Sequence, residues 1–110
     1  MSKILDRAIS ERAFQASVIR LAQLRGWRVF HARAALTAKG RHMTPVAADG
    51  AGFPDLLMLR GNRAIAAELK TEKGRLSPAQ VMWLDAFRET PVETYLWRPR
   101  DWDALERILK

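Results

Sequence analysis

Hydrophobic and polar positions along the chain follow two periods. In residues 11–25, ERAFQASVIRLAQLR, Phe14, Val18, Leu21 and Leu24 recur every three or four positions, the spacing that lines one helical face. Ser10 offers an N-cap oxygen ahead of this stretch, and Gly26 stands where a helix stop belongs. Residues 27–32, WRVFHA, alternate and are rich in strand formers, which predicts a short strand. Residues 33–52 have no sustained period and mix Gly, Pro and Thr with several cations. A loop of that length in a small domain is usually functional or mobile, and it reads as a basic flap that orders on a bound backbone.

Two apolar runs follow, DLLMLR and RAIAAELK, joined by Gly61 and Asn62. Ser77 then opens SPAQVMWLDAFRE, with Pro78 at the first helical position and Gln80 three residues after the cap, a capping box. Residues 92–98, VETYLWR, predict another strand. Asp101 is expected to cap a last helix in which Trp102, Leu105 and Leu109 share a face. The order helix, strand, strand, strand, helix, strand, helix implies an α/β domain with a mixed four-stranded sheet flanked by helices. Residues 1–9 read as an N-terminal extension and residues 10–110 as one domain.

Gly-Asn between strand-like runs is a two-residue hairpin signal, and it fixes the register. Paired residue numbers must sum to 123, so Leu59 meets Ala64, Leu57 meets Ala66 and Asp55 meets Glu68. Side chains alternate along a strand, so Asp55, Leu57, Leu59, Ala64, Ala66, Glu68 and Lys70 fall on one face. Directly opposed side chains have Cβ atoms about 5 Å apart, where like charges repel. A hard divalent cation reverses that sign, because it wants several oxygen ligands at such a separation. The register therefore predicts a Mg²⁺-type site at Asp55 and Glu68 with Lys70 beside it.

Charge adds a partner. Nineteen Lys and Arg against twelve Asp and Glu leave a net charge of +7, and fourteen of the nineteen cations are Arg, the side chain suited to bidentate phosphate contacts. Nucleic acid is the expected partner. Cysteine is absent, which excludes disulfides and thiolate metal sites, and no apolar run approaches the ~20 residues of a membrane span. A cytoplasmic location is expected. Zinc-finger spacing, a phosphate-cradling Gly-rich loop and a nucleophile elbow are all missing.

Pro54-Asp55 followed by Glu68-Leu69-Lys70 resembles the PD-(D/E)XK nuclease motif, and the wider pattern resembles its VRR-NUC branch, the virus-type replication-repair nuclease domain. The features that carry the resemblance are Glu11, GFPD, ELK, GRLSPAQ and WLDAF, spread from Ser10 to Arg98. The resemblance implies a restriction-endonuclease-like core and metal-dependent hydrolysis of DNA phosphodiesters with Mg²⁺ or Mn²⁺. It implies that Asp55, Glu68 and the Leu69 backbone carbonyl are metal ligands, and that Lys70 orients or helps deprotonate the attacking water. Glu11 would complete the acidic cluster directly or through water, and Gln80 would support the site. Apart from the resemblance, Glu11 and Gln15 read as a solvated helix face, and the capping box already accounts for Gln80.

Lys73, Arg75, Lys39 and Arg41 flank the motif on loops able to follow a nucleic-acid backbone, with Arg12, Arg33 and His42 as weaker candidates of the same type. His31, on a strand, reads as structural. Trp27, Trp83, Trp97 and Trp102 fit apolar positions of predicted elements, so core packing is favoured over base stacking. The expected activity is a structure-selective endonuclease acting on branched DNA, of the phage or prophage type and similar to junction-resolving enzymes. Symmetric cutting of a junction needs two sites and hence a homodimer, for which Leu84, Phe87, Tyr95 and Trp97 supply the surplus apolar surface. A non-catalytic nucleic-acid-binding module, or a nuclease subunit targeted by a replication or packaging partner, stands as the alternative.

Overall fold

The first two long helices each begin where a serine oxygen meets exposed backbone N–H groups, and the sheet grows from one tight turn. The computed structural model describes residues 9–32, 35–36, 42–43 and 47–110. Ser10 Oγ accepts from Ala13 N at 3.1 Å and starts α1, Glu11–Leu24. Strand β1, Arg28–His31, comes next, then a minimal antiparallel pair, β2 Ala35–Leu36 with β3 His42–Met43. Half of the expected basic flap, Lys39 and Arg41 included, lies outside the described residues. Strand β4 is Leu56–Arg60, β5 is Arg63–Leu69, α2 is Pro78–Arg88 and β6 is Glu93–Trp97; a 3₁₀ turn, Pro99–Asp101, leads into α3, Trp102–Leu109.

The main sheet has four strands in the order β1-β4-β5-β6, antiparallel except for the parallel β5–β6 pair. Its hairpin has the register expected from Gly61-Asn62: Arg60 pairs with Arg63, Leu59 with Ala64 and Leu57 with Ala66. Gly61 sits at φ 59° and Asn62 outside the left-handed region, the arrangement of a type II′ turn, whose twist matches that of the flanking strands.

One sheet face packs Leu56, Met58, Ile65, Ala67, Leu69 and Trp97 against Phe14, Val18 and Ala22 of α1 and against Leu105 and Leu109 of α3. Helix α2 packs on β5 and β6 with Leu84 buried, on the face to which Ala66 and Glu68 point. Arg60 joins the helix ends to the hairpin. Its guanidinium donates to the carbonyls of Arg25, Leu109 and Lys110, each at 3.0 Å, and lies 4.6 Å from the centre of the Trp27 ring. Trp27 Nε1 donates to the same Leu109 carbonyl at 2.9 Å. The four carbonyls at the ends of a helix have no partner within it, so this side chain satisfies groups that would otherwise need water. Among the described residues no helix is long and apolar enough to cross a membrane.

Two expectations need correction. Asp101 does not cap α3 with its side chain; its carboxylate accepts from Arg98 N at 2.9 Å, because Pro99 opens a 3₁₀ turn that brings Asp101 back over the end of β6. The apolar residues expected to serve a dimer are engaged within the chain. Leu84 and Trp97 are buried, Tyr95 stacks on Trp97 at 5.1 Å, and Phe87 packs beside Phe53 and Trp83. Among the described residues the exposed large apolar side chains are instead Leu24, Phe30, Leu59, Val81 and Met82.

The capping box forms in full, with Ser77 Oγ accepting from Gln80 N at 3.2 Å and Gln80 Oε1 accepting from Ser77 N at 2.8 Å. Ser77→Ala should therefore cost about 1 kcal/mol and lower the thermal midpoint by about 4 °C. An unchanged midpoint in thermal denaturation would show that the packing of α2 on β5 and β6 alone holds the start of the helix.

Candidate active site

At the open end of the hairpin the chain turns from apolar pairing to ionisable groups. The β4–β5 ladder ends at Leu56 and Ala67, and one further step of the same register sets Asp55 against Glu68. Asp55 follows buried Pro54, and its Oδ2 accepts from Leu69 N at 2.8 Å, so a carboxylate continues the ladder where β4 stops. Glu68 is 1% exposed, and its Oε2 has no hydrogen-bond partner. Lys70, half-buried just past β5, donates its backbone N–H to the Trp97 carbonyl at 3.0 Å.

A buried carboxylate oxygen without a partner is costly to ionise. Burial is the main cause that pushes the Glu68 carboxyl up to about 9 from 4.5, followed by hydrogen bonding to Asp55 and repulsion from its charge. The Lys70 ammonium pulls the other way, and Glu11, exposed at the start of α1, adds a smaller upward push. The electrostatics thus tie together the four charged residues singled out from the sequence. Geometry is more selective: among the described residues no three His, Asp or Glu side chains converge closely enough to form a metal cluster by themselves. Asp55 and Glu68 form a two-carboxylate donor set, and Glu11 stands further out. Two carboxylates, one of them with an orphaned buried oxygen, suit a hard divalent cation, which takes oxygen ligands and completes its shell with water or substrate.

The loop that delivers Asp55 is clasped by α2. Phe53 meets Trp83 edge-on at 5.0 Å and Phe87 at 5.7 Å, and Trp83 Nε1 donates to the carbonyls of Asp49 at 2.9 Å and Ala51 at 3.1 Å. Gly52 makes the approach possible. It lies at φ +83°, and a Cβ there would fall 2.6 Å from the Ala79 carbonyl carbon and 2.8 Å from Gln80 N. Gln80 adjoins this contact, with its side-chain oxygen committed to the capping box.

Beyond Lys70, residues 71–74 are held from the segment after β6. Arg98 Nη1 donates to the carbonyls of Thr71 at 2.6 Å and Gly74 at 2.8 Å, and the Glu72 carboxylate accepts from Arg100 N at 2.7 Å. Lys73 and Arg75 are left exposed on this braced loop, and among the described residues neither forms an ion pair. Sequence reasoning missed the contributions of Phe53, Trp83, Phe87 and Arg98. The four-residue spacing of Trp83 and Phe87 on one helical face was the available signal for the clasp. The carbonyls that Arg98 meets carry no sequence mark.

Because the folded-state value of Glu68 is raised, the unfolded chain releases its proton first as pH rises. Stability fully present below about 4.5 is lost progressively toward pH 9. In EDTA, the thermal midpoint of the wild-type protein should fall between pH 5 and pH 8.5 more steeply than that of Glu68→Gln, whose advantage grows with pH. Parallel profiles for the two proteins would mean that Glu68 ionises without penalty.

Among protein-family models, the VRR-NUC domain matches residues 12–100, most of the chain, starting one residue after Glu11. No curated protein and no solved structure matches. With a mixed four-stranded sheet flanked by helices and a Pro54-Asp55…Glu68-Leu69-Lys70 motif at its polar end, the chain belongs to the VRR-NUC family, nucleases of the PD-(D/E)XK type.

Proposed function

We propose that this protein is a divalent-metal-dependent DNA endonuclease that hydrolyses phosphodiester bonds, with a preference for branched substrates. The observation that carries the metal dependence is the buried Glu68 carboxylate, with an oxygen lacking any partner, set against Asp55 and beside Lys70. Asp55, Glu68 and the Leu69 carbonyl would hold Mg²⁺ or Mn²⁺. Bound there, such a cation supplies charge neutralisation at the phosphate oxygens and an acidified water.

The chain's own residues do the rest. Lys70 places a point charge next to the attacking oxygen, which lowers the cost of forming hydroxide in a partly dehydrated site. Glu11 acts at longer range, through water, in keeping with its exposure and its small effect on Glu68. Among the described residues only the oxygen of the Gln80 carboxamide is engaged, in the cap, which leaves its N–H₂ to donate toward the site. Lys73 and Arg75, on the braced loop directly after Lys70, position the substrate by its phosphates without reading bases.

Paired cuts in a branched substrate need two sites related by a twofold axis, which makes a homodimer the fitting assembly. Phe30 at 57% exposure and Leu59 at 48% support one. They share the sheet face of Leu57, and α2 packs on β5 and β6 rather than on their strands. Light scattering should give twice the chain mass; a monomer at all concentrations would rule out paired cutting by this chain alone.

The central test compares wild type with Glu68→Ala on labelled four-way junction, splayed and linear duplex DNA, in Mg²⁺, Mn²⁺ or EDTA. Cleavage should require metal, favour branched substrates and fall at least 100-fold in the variant, roughly the loss expected when one transition-state electrostatic contact is removed. DNA binding without cleavage under any metal would sink the catalytic reading and leave a binding module.

A further inference from the structure

The outer surface of α1 is the feature that the catalytic reading does not use. Arg12, Gln15, Arg20 and Gln23 from α1, with His31 from β1, rim a groove of about 350 Å³; Ala16 and Ile19 complete its lining. Among the described residues no carboxylate lines it. Arg12 and Arg20 are exposed, and among the described residues neither makes an ion pair or a side-chain hydrogen bond.

The position of the groove gives it a direction. Arg12 directly follows Glu11, whose charge reaches Glu68. At the other wall, His31 pairs with Leu56, the residue after Asp55. Both walls therefore begin at the acidic end of the sheet, one on a helix and one on an edge strand, and the groove runs away from it along α1. At 1.5 Å rise per residue, Arg20 lies about 12 Å from Arg12 along the axis. That span corresponds to roughly three nucleotide steps of a strand in duplex DNA at 3.4 Å each.

We infer that this groove is a second phosphate-binding track, in which Arg12 and Arg20 each take one backbone phosphate of the strand leading away from the cut. The inference rests on the nuclease reading for its ligand, a phosphodiester backbone. The chemistry of the lining agrees. Two guanidiniums with no acid among the described lining residues favour phosphate, and the two carboxamides with the imidazole add hydrogen-bonding groups at intermediate positions. The arrangement fixes which strand occupies the site and in what direction it leaves. The braced loop with Lys73 and Arg75 holds the opposite side of the same acidic centre, so the two basic surfaces together define a strand path through it.

The test is DNA binding in EDTA, where no cleavage is needed, followed by fluorescence anisotropy on labelled duplex DNA between 50 and 200 mM salt. Each phosphate contact contributes about 0.9 to the slope of log affinity against log salt on duplex DNA. Arg12→Gln with Arg20→Gln should therefore flatten that slope by about 1.8, whereas Arg12→Lys with Arg20→Lys should keep it. The control, Arg88→Gln with Arg107→Gln, removes the same charge from residues that do not line the groove and should leave the slope near the wild-type value. Thermal unfolding of the groove variants should match wild type, since all these side chains are exposed and Gln is a good helix former. An unchanged slope in the Gln pair, an equal loss in the control pair, or no DNA binding by wild type overturns the assignment. Failure of the nuclease reading has a different signature, namely wild-type protein that binds DNA with the full slope and never cuts it.

Discussion

The two-residue turn at Gly61-Asn62 sets the constraint on which everything else depends. It makes β4 and β5, the two central strands, a single unit with one register, and side-chain direction follows from register with a period of two. Leu56, Met58, Ile65 and Ala67 are thereby committed to the core between sheet, α1 and α3, while Ala66 and Glu68 face the other way. A slip of one residue in either strand would turn its core side chains outward and its opposite set inward, Leu57 and Leu59 from β4 or Ala66 and Glu68 from β5. The hydrophobic energy of the core therefore holds the two carboxylates in opposition. The site is a by-product of a packing requirement, which makes its geometry as rigid as the core itself.

That rigidity has a cost at Glu68. Burying a carboxyl group beside a second carboxylate opposes ionisation, and Lys70 offsets only part of the effect. The surrounding structure resists relaxation in two ways. The Phe53–Trp83–Phe87 cluster and the close contact at Gly52 pin the segment before Asp55 to α2. On the other side, Arg98 spans the carbonyls of Thr71 and Gly74 and pins the segment after Lys70 to β6. Neither clamp touches the carboxylates, yet together they deny the chain its easiest escape, which would be to splay Asp55 away from Glu68. Functional sites often retain unfavourable local electrostatics that the rest of the fold must outweigh, and this one follows the pattern.

Local signals explain which parts of this arrangement were legible in the sequence. Ser10, Ser77 with Pro78 and Gln80, and Gly61-Asn62 each act within three or four residues of themselves, so their structural meaning survives without knowledge of the fold. The opposition of Asp55 and Glu68 was legible for the same reason, because a short hairpin converts sequence distance into spatial distance. Asp101 shows the limit. Its capping tendency was real, but Pro99 redirected the carboxylate to Arg98 N through a turn that sequence pattern did not reveal. Arg60 and Arg98 were illegible as organisers because their partners are backbone carbonyls of distant segments, and any residue provides a carbonyl. Phe87 and Trp97, expected to serve a dimer, pack within the chain, because large apolar side chains look alike in sequence whether they meet a partner chain or their own.

The placement of charge connects fold to activity. The protein carries a net +7, yet its polar sheet end sets Asp55 against Glu68 beside Lys70, with Glu11 further out. A polyanionic substrate approaching that centre alone would be repelled, so cations on either side must supply the attraction. On the proposed function, Lys73 and Arg75 would do so from the braced loop, and the α1 arginines from the other flank. Between them the acidic centre needs its own compensating positive charge before a phosphate can settle against it. With a divalent ion held there as proposed, affinity for DNA and affinity for the ion would be linked through the same carboxylates, and linkage of this kind is reciprocal: whatever one ligand gains from the other's presence is returned in equal measure. On that reading a basic protein with an acidic site would bind its substrate by the rim and admit it to the centre only once the carboxylates are neutralised.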